Sequence, residues 1–243
     1  MITHAAVKPL TAFAYLTFDV VGTLIDFEGA ILQGLATIAA TAGVTVDGEA
    51  ALSLYSAARY QPDAGLFPDD LGRCYGQIAT ALGLPDTPQH RQSMIDAVAE
   101  AKPFPDSVEA MARLKKHYRL IAMTNARRWA FEKYEEKLGF PFWASFTTDE
   151  TGTEKPDPVF FEKVFRHVEA AGAGKDDILH TAQSQYHDIG ISRRLGMSNA
   201  WIERRHAQKG YGGTIAPESV TEPDYHFRAL IELAEAADSA FEA

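Results

Sequence analysis

The chain has 243 residues, 46% hydrophobic and 23% charged, the make-up of a globular protein with one large domain or a core plus an insert. Its net charge of −10 argues against a nucleic-acid surface and gives no attraction to an anionic membrane. Cys74 is the only cysteine, so an intrachain disulfide and a thiolate metal cluster are both excluded, and it reads as a small packing residue.

The N-terminus shows no basic stretch leading into an uninterrupted apolar run. The apolar stretch near residues 10–25 is broken by Asp19 and is too short to span a bilayer. A cytoplasmic protein is expected. The run Phe13–Phe18 predicts a buried central strand that ends at Asp19. Residues 29–101 then lack a convincing strand. Ile31, Leu35, Ile38 and Ala39 recur at helical spacing, and three or four amphipathic helices are expected, with a loop between Tyr60 and Asp70 marked by Pro62, Gly65 and Pro68.

Past Pro103 and Pro105, Asp106 with Glu109 three residues on has the spacing of a capping box. Val108, Met111, Ala112 and Leu114 supply the apolar stripe of the helix that follows. Arg119–Thr124, Ile178–Ala182 and Ser198–Ile202 predict three further strands, and a helix over 157–171 is bounded by Pro156 and Gly172. Short apolar strands alternating with helices indicate a parallel sheet with right-handed crossovers. The expected fold is therefore α/β, a three-layer Rossmann-like parallel sheet core with an inserted helical cap domain. Residues 1–28 and 102–243 form the core and 29–101 the cap, a roof that excludes water and selects substrate.

Four segments stand in order at predicted strand ends: Asp19-Val-Val-Gly-Thr-Leu, Met123-Thr124-Asn125-Ala126, Glu154-Lys155-Pro156-Asp157-Pro158 and Ala182-Gln183-Ser184-Gln185-Tyr186-His187-Asp188. A lone carboxylate at the end of a buried strand is costly unless it is paired or used. An aspartate there can displace a leaving group to form an ester, which water then hydrolyses. Lys155 is placed to keep Asp19 ionised and to lower its pKa. Thr124 and nearby backbone N–H groups are placed to hydrogen-bond the carboxylate or the ester, and Asn125 to orient the substrate or solvate the leaving group. Gly22 lets backbone amides approach closely.

These motifs, in this order, resemble the haloacid dehalogenase superfamily over nearly the whole chain. The superfamily's phosphatases usually carry a second Asp two residues after the nucleophile, as leaving-group acid, and an acidic Mg²⁺ ligand in the last motif. Here Val21 and Gln183 stand in those places. Halide needs neither protonation nor Mg²⁺ to leave, so the pair resembles the metal-independent L-2-haloacid dehalogenase branch. That resemblance implies conversion of small (S)-2-haloacids to 2-hydroxy acids, with no cofactor and no metal ligand. It matches Asp188 to the residue that holds Lys155 or activates water, and it calls for a cap arginine on the substrate anion, with Arg59 placed there ahead of Arg73.

Val21, Gln185 and His187 are placed with Arg59 on the substrate side, and all three depart from the residue types usual in the branch. The implied partner is a small-molecule carboxylate, with no nucleic acid and no membrane, and a homodimer is left open. Trp129, Trp143 and Trp201 read as packing residues, and Arg127-Arg128 and Arg204-Arg205 as solvated faces. Three other readings stay open: the same nucleophile opening a strained ring such as azetidine-2-carboxylate, a phosphatase, and a non-catalytic binding protein on a retained fold.

Overall fold

The computed structural model describes residues 7–243, so the reading of the N-terminus as leaderless falls partly on residues outside this range. Six parallel strands form one sheet in the order β3-β2-β1-β4-β5-β6. They are β1 (Tyr15–Phe18), β2 (Arg119–Met123), β3 (Ala144–Phe146), β4 (Ile178–Ala182), β5 (Ser198–Ile202) and β6 (Tyr225–Phe227). β1 lies centrally, pairing Phe18 with Ala122 of β2 on one side and with Thr181 of β4 on the other. The chain builds outward first through β2 and β3, then through β4, β5 and β6. The order thus reverses at β1/β4, where ligand crevices of open α/β sheets form.

Alternate residues of each strand enter opposite layers, as the two-residue period of a strand requires. Tyr15, Ile121, Met123 and Ile178 pack with Phe160, Phe161, Val164 and Val168 of α8 (Pro158–Ala170). Leu16, Phe18, Leu120, Ala122 and Leu179 face the other layer, where α5 (Ser107–Leu114) and α10 (Leu230–Glu242) supply Met111, Leu114, Leu230 and Leu233. Both sheet faces are covered, which is why the strands read as continuous apolar runs. The sheet is the Rossmann-like three-layer core expected from the sequence. α6 (Arg128–Lys137), the short α7 (Thr148–Thr151) and α9 (Gly190–Arg194) complete the layers.

Four helices intervene between β1 and α5: α1 (Phe27–Ala42), α2 (Gly48–Arg59), α3 (Leu71–Leu82) and α4 (Pro88–Ala99). Asp26, Asp47 and Thr87 cap α1, α2 and α4 through their side chains. The segments leading into and out of this block run side by side: the Asp26 N–H donates to Lys102 O at 2.9 Å and the Phe104 N–H to Leu24 O at 2.9 Å. Ile31, Leu35, Leu52, Tyr75 and Val98 fill the block's interior, which is continuous with the sheet's α5/α10 layer through Phe27, Phe67 and Tyr134.

Three local expectations differ from the structure. β3 and β6 are three-residue edge strands of half-buried residues, with His226 exposed, too short and too mixed to stand out as apolar runs. Asp106 makes no capping box. Its carboxylate instead takes both oxygens' worth of Arg204 Nη1, at 2.8 and 2.9 Å, and accepts the Leu230 N–H at 2.7 Å where α10 begins. Arg204, half-buried, and Arg205, buried, are accordingly ion-pair residues and not a solvated face. Cys74 is fully buried, and burial pushes its thiol up to about 12, which removes the thiolate chemistry a nucleophile needs.

Candidate active site

The Asp19 N–H continues the sheet by donating to Thr181 O at 3.0 Å, and the chain then turns sharply. Gly22 makes the turn at φ +95°, and a Cβ there would sit 3.1 Å from the Phe27 ring, so glycine is required on both counts. The turn brings Thr23 back beneath the carboxylate. Its Oγ1 donates to Asp19 Oδ2 at 2.6 Å and accepts the Gln183 N–H at 2.8 Å, tying the first motif to the last.

Lys155 approaches from the opposite side. Asn125 clamps its backbone at both ends, accepting the Lys155 N–H at Oδ1 (2.7 Å) and donating Nδ2 to Lys155 O (2.9 Å). The ammonium is 2% exposed as a residue and lies 3.0 Å from Asp19 Oδ1 and 2.6 Å from Asp188 Oδ1. Asp188 is delivered by a wide turn at Gln185–Ile189, in which the Ile189 N–H reaches back five residues to Ser184 O at 3.0 Å. Such π-type turns recur at functional sites. His180 on β4 places Nε2 3.1 Å from Asp188 Oδ1, while its Nδ1 pairs with Thr17 Oγ1 at 2.8 Å. Asp188 Oδ2 is buried without a hydrogen-bond partner among the described residues.

Burial by itself would raise all the carboxylates here. At Asp188 the Lys155 charge and the His180 hydrogen bond outweigh it and hold the carboxyl at about 2. At Asp19 burial is the largest influence, and Lys155 and Thr23 offset only part of it, so the carboxyl lies above its ordinary value. Lys155 does pull Asp19 down, as the sequence suggested, but desolvation wins. Burial works against the Lys155 charge, yet the two carboxylates outweigh it and raise its pKa. A carboxylate that is poorly solvated and above its usual basicity is the better nucleophile.

A cavity of about 70 Å³ opens over Asp19. It is large enough for a few water-sized groups, the scale of a small organic acid. Its floor is Asp19, Val21, Asn125, Lys155 and Asp188. Its roof comes from Tyr55, Arg59 and Tyr60 at the end of α2, with Phe67 and Phe27, and one wall is Gly213-Thr214 from the loop after β5. That loop is fastened to the helical block: Arg205 pairs with Glu28 and Glu49, and the Gly213 N–H donates to Glu28 Oε1 at 2.8 Å.

The structure brings Asp19, Lys155, Asp188, Asn125, Val21, Arg59 and His187 to this one cavity. Arg59 faces it and pairs with Glu154 at 2.7 Å, whereas Arg73 is forked onto Asp70 at 2.7 and 2.6 Å and turned away. Thr124 and Gln185 do not line it. The Thr124 hydroxyl accepts the Ala126 N–H at 3.2 Å, and Gln185 is tied across both polar atoms to the Thr221 backbone. The hydroxyl that holds Asp19 belongs to Thr23, and Asn125 spends its amide on Lys155. His187 packs against Tyr60, accepts or shares a hydrogen with Ser184 Oγ at 3.1 Å, and is pushed down to about 4 by burial, so its ring is neutral near pH 7.

Glu154, His180, Ser184, Tyr60 and the Gly213 loop were not singled out from sequence. Glu154 and His180 had a signal, each lying within or just before a motif; the Gly213 loop had none. A divalent ion does not fit this donor set. It needs several hard oxygens, whereas Asp19 and Asp188 share the Lys155 ammonium and Val21 and Gln183 add no charge. Among the described residues, no three His, Cys, Asp or Glu side chains converge to hold a metal, and no helix is long and apolar enough to cross a membrane.

The family model of the haloacid dehalogenase-like hydrolases matches residues 14–180. No curated relative gives a significant match. Among solved structures, a defluorinating L-2-haloacid dehalogenase superposes with a TM-score of 0.73 at 20% identity, covering 96% of this chain and 100% of that one. The L-2-haloacid dehalogenase of Xanthobacter autotrophicus with chloropropionic acid covalently bound gives 0.69 at 21% identity, over 93% and 98%. The putative hydrolase YfnB of Bacillus subtilis, bound to magnesium, gives 0.74 at 17% identity, over 95% and 100%. At these identities the likeness is one of fold.

Proposed function

The chain belongs to the haloacid dehalogenase-like hydrolases, and from that premise we propose that it is a metal-independent dehalogenase of small (S)-2-haloacids. One observation carries the reading: no carboxyl or imidazole group of the cavity stands protonated to serve a leaving group, and its phenols, Tyr55 and Tyr60, are made weaker acids by burial. Val21 stands two residues past the nucleophile, Asp188 and Glu154 are ion-paired carboxylates, and His187 is a neutral ring. A leaving group that needs a proton is therefore poorly served, and halide needs none. The small cavity volume and Arg59 in the roof support a short carboxylate as substrate.

In this mechanism Arg59 holds the substrate carboxylate and Asp19 attacks C2. The Asp19 O–C2 bond forms as the carbon–halogen bond breaks, with inversion, and the halide departs with the electron pair. Lys155 and Thr23 hold Asp19 for attack and then polarise the ester carbonyl. Asp188 Oδ2, free of protein partners, takes a proton from water as that water adds to the Asp19 carbonyl carbon. Collapse breaks the bond between the Asp19 carbonyl carbon and the C2 oxygen, which takes up the proton held by Asp188. The Asp19 and Asp188 carboxylates are both restored, and the 2-hydroxy acid leaves with its new oxygen from Asp19. The four-helix block serves as the cap in this reading.

Halide release from L-2-chloropropionate in excess EDTA tests it, with Asp19→Asn as control. A single turnover in H₂¹⁸O should leave the product's hydroxyl oxygen unlabelled. Absence of halide release together with Mg²⁺-dependent phosphate release would overturn the reading.

A further inference from the structure

The charges around the cavity pose a problem for an anionic substrate. Lys155 faces two carboxylates, Asp19 and Asp188, and Arg59 is already matched by Glu154. With His187 neutral, the cavity carries one net negative charge before any substrate enters. Arg59 is the only cation free of the catalytic pair, and a carboxylate from the protein itself occupies it.

From this geometry we propose that Glu154 is a specificity-determining residue, an internal carboxylate that holds Arg59 until a substrate monoanion competes for it and that bars dianions from the cavity. The proposal rests on the dehalogenase reading and narrows its substrate class. Glu154 is held at the right place by its neighbour. The Lys155 backbone is clamped by Asn125 on both sides, so the preceding residue has little freedom, and its Oε1 reaches Arg59 Nη2 at 2.7 Å. Arg59 is 8% exposed and its other guanidinium nitrogens make no hydrogen bond among the described residues, so a substrate carboxylate has nitrogens to meet as Glu154 yields.

Burial pushes the Glu154 carboxyl above its ordinary value despite Arg59, so its charge is imperfectly compensated in place and it can yield Arg59 to a second carboxylate. A monoanion can replace Glu154 on Arg59 one charge for one. A dianion, such as a phosphate monoester or a dicarboxylate, leaves a surplus charge facing Asp19, Asp188 and Glu154 with no further cation in the wall. Glu154 thus acts by repulsion as much as Arg59 acts by attraction.

Glu154→Gln keeps the hydrogen bond to Arg59 and removes the charge. Calorimetric titration of wild type and variant at pH 7.5 with propionate and with malonate, both unreactive, reads the effect. The expected result is a wild-type preference for propionate, tighter binding of both anions by the variant, and a preference reduced by about tenfold or more because malonate gains most. Unchanged affinities, or no binding of either anion to either protein, would overturn the proposal. Normal anion binding without halide release from 2-chloropropionate would instead fail the dehalogenase reading alone.

Discussion

The floor and the roof of the cavity are built differently. On the floor, every charged group is locked from two or more directions: Asp19 by Thr23 and Lys155, Lys155 by Asn125 and two carboxylates, Asp188 by Lys155 and His180. Asp19 directly follows β1, Asp188 sits on the turn after β4, and Lys155 is brought to them on the loop after α7 by the Asn125 clamp. In the roof, Arg59 has a single partner and the Gly213 loop is held by ion pairs to Glu28 and Glu49. The floor is pre-organised for bond making, and the roof is able to exchange partners. In the proposed reading, chemistry and selection fall to separate parts of the fold.

The sharpest way to break the floor is Asp19→Asn, expected to lower halide release by about four orders of magnitude or more while leaving propionate binding intact. Lys155→Met should cost about a thousandfold in kcat. It also leaves Asp19 and Asp188 buried without their cation, a loss of about 3–5 kcal/mol in denaturant unfolding. In the roof, Arg59→Ala should raise KM by about a hundredfold with a smaller change in kcat, because Glu154 is then left unopposed beside the substrate.

The pH profile distinguishes the two carboxylates of the floor. Protonated Asp19 cannot attack, and its carboxyl is raised above 3.8, so kcat/KM should fall on the acid side along a limb lying above that value. Asp188, at about 2, stays ionised throughout this fall. In Lys155→Met the limb should move to still higher pH, because the charge that partly offsets burial at Asp19 is gone. The smallest effect expected is that of Gly213→Ala. Its Cβ would meet Phe27 at 3.0 Å and Tyr55 at 3.1 Å, an overpacking worth about 1–3 kcal/mol in thermal unfolding, with longer 2-haloacids rejected before chloropropionate.

The sheet was legible because a strand buried on both faces leaves a continuous apolar run, as at Arg119–Met123 and Ile178–Ala182. β3 and β6 escaped because edge strands bury too little to leave one. Within the site, residues that act through a motif could be placed by spacing, and so Asp19, Lys155 and Asp188 meet where strand ends would put them. Finer assignments depended on which hydroxyl or amide reaches a given atom. Sequence favoured Thr124 over Thr23, yet only the turn at Gly22 decides which hydroxyl lies under Asp19. Glu154 and Arg59 lie 95 residues apart, and nothing local marks them as partners. The Asp106 carboxylate likewise serves Arg204 and the first backbone N–H groups of α10 in place of its own helix, partners that lie about a hundred residues away in sequence.

The two segments that join the helical block to the sheet are paired to each other, through Asp26 with Lys102 and Phe104 with Leu24. The chain therefore leaves and re-enters the core through a single narrow gate. Whatever lies between those crossings can be exchanged without disturbing strand register, which makes the block a graftable module. Its transplantation has one further requirement. Glu28 and Glu49 must travel with it, since Arg205 on the loop after β5 would otherwise lose both anchors and the wall at Gly213 would come loose.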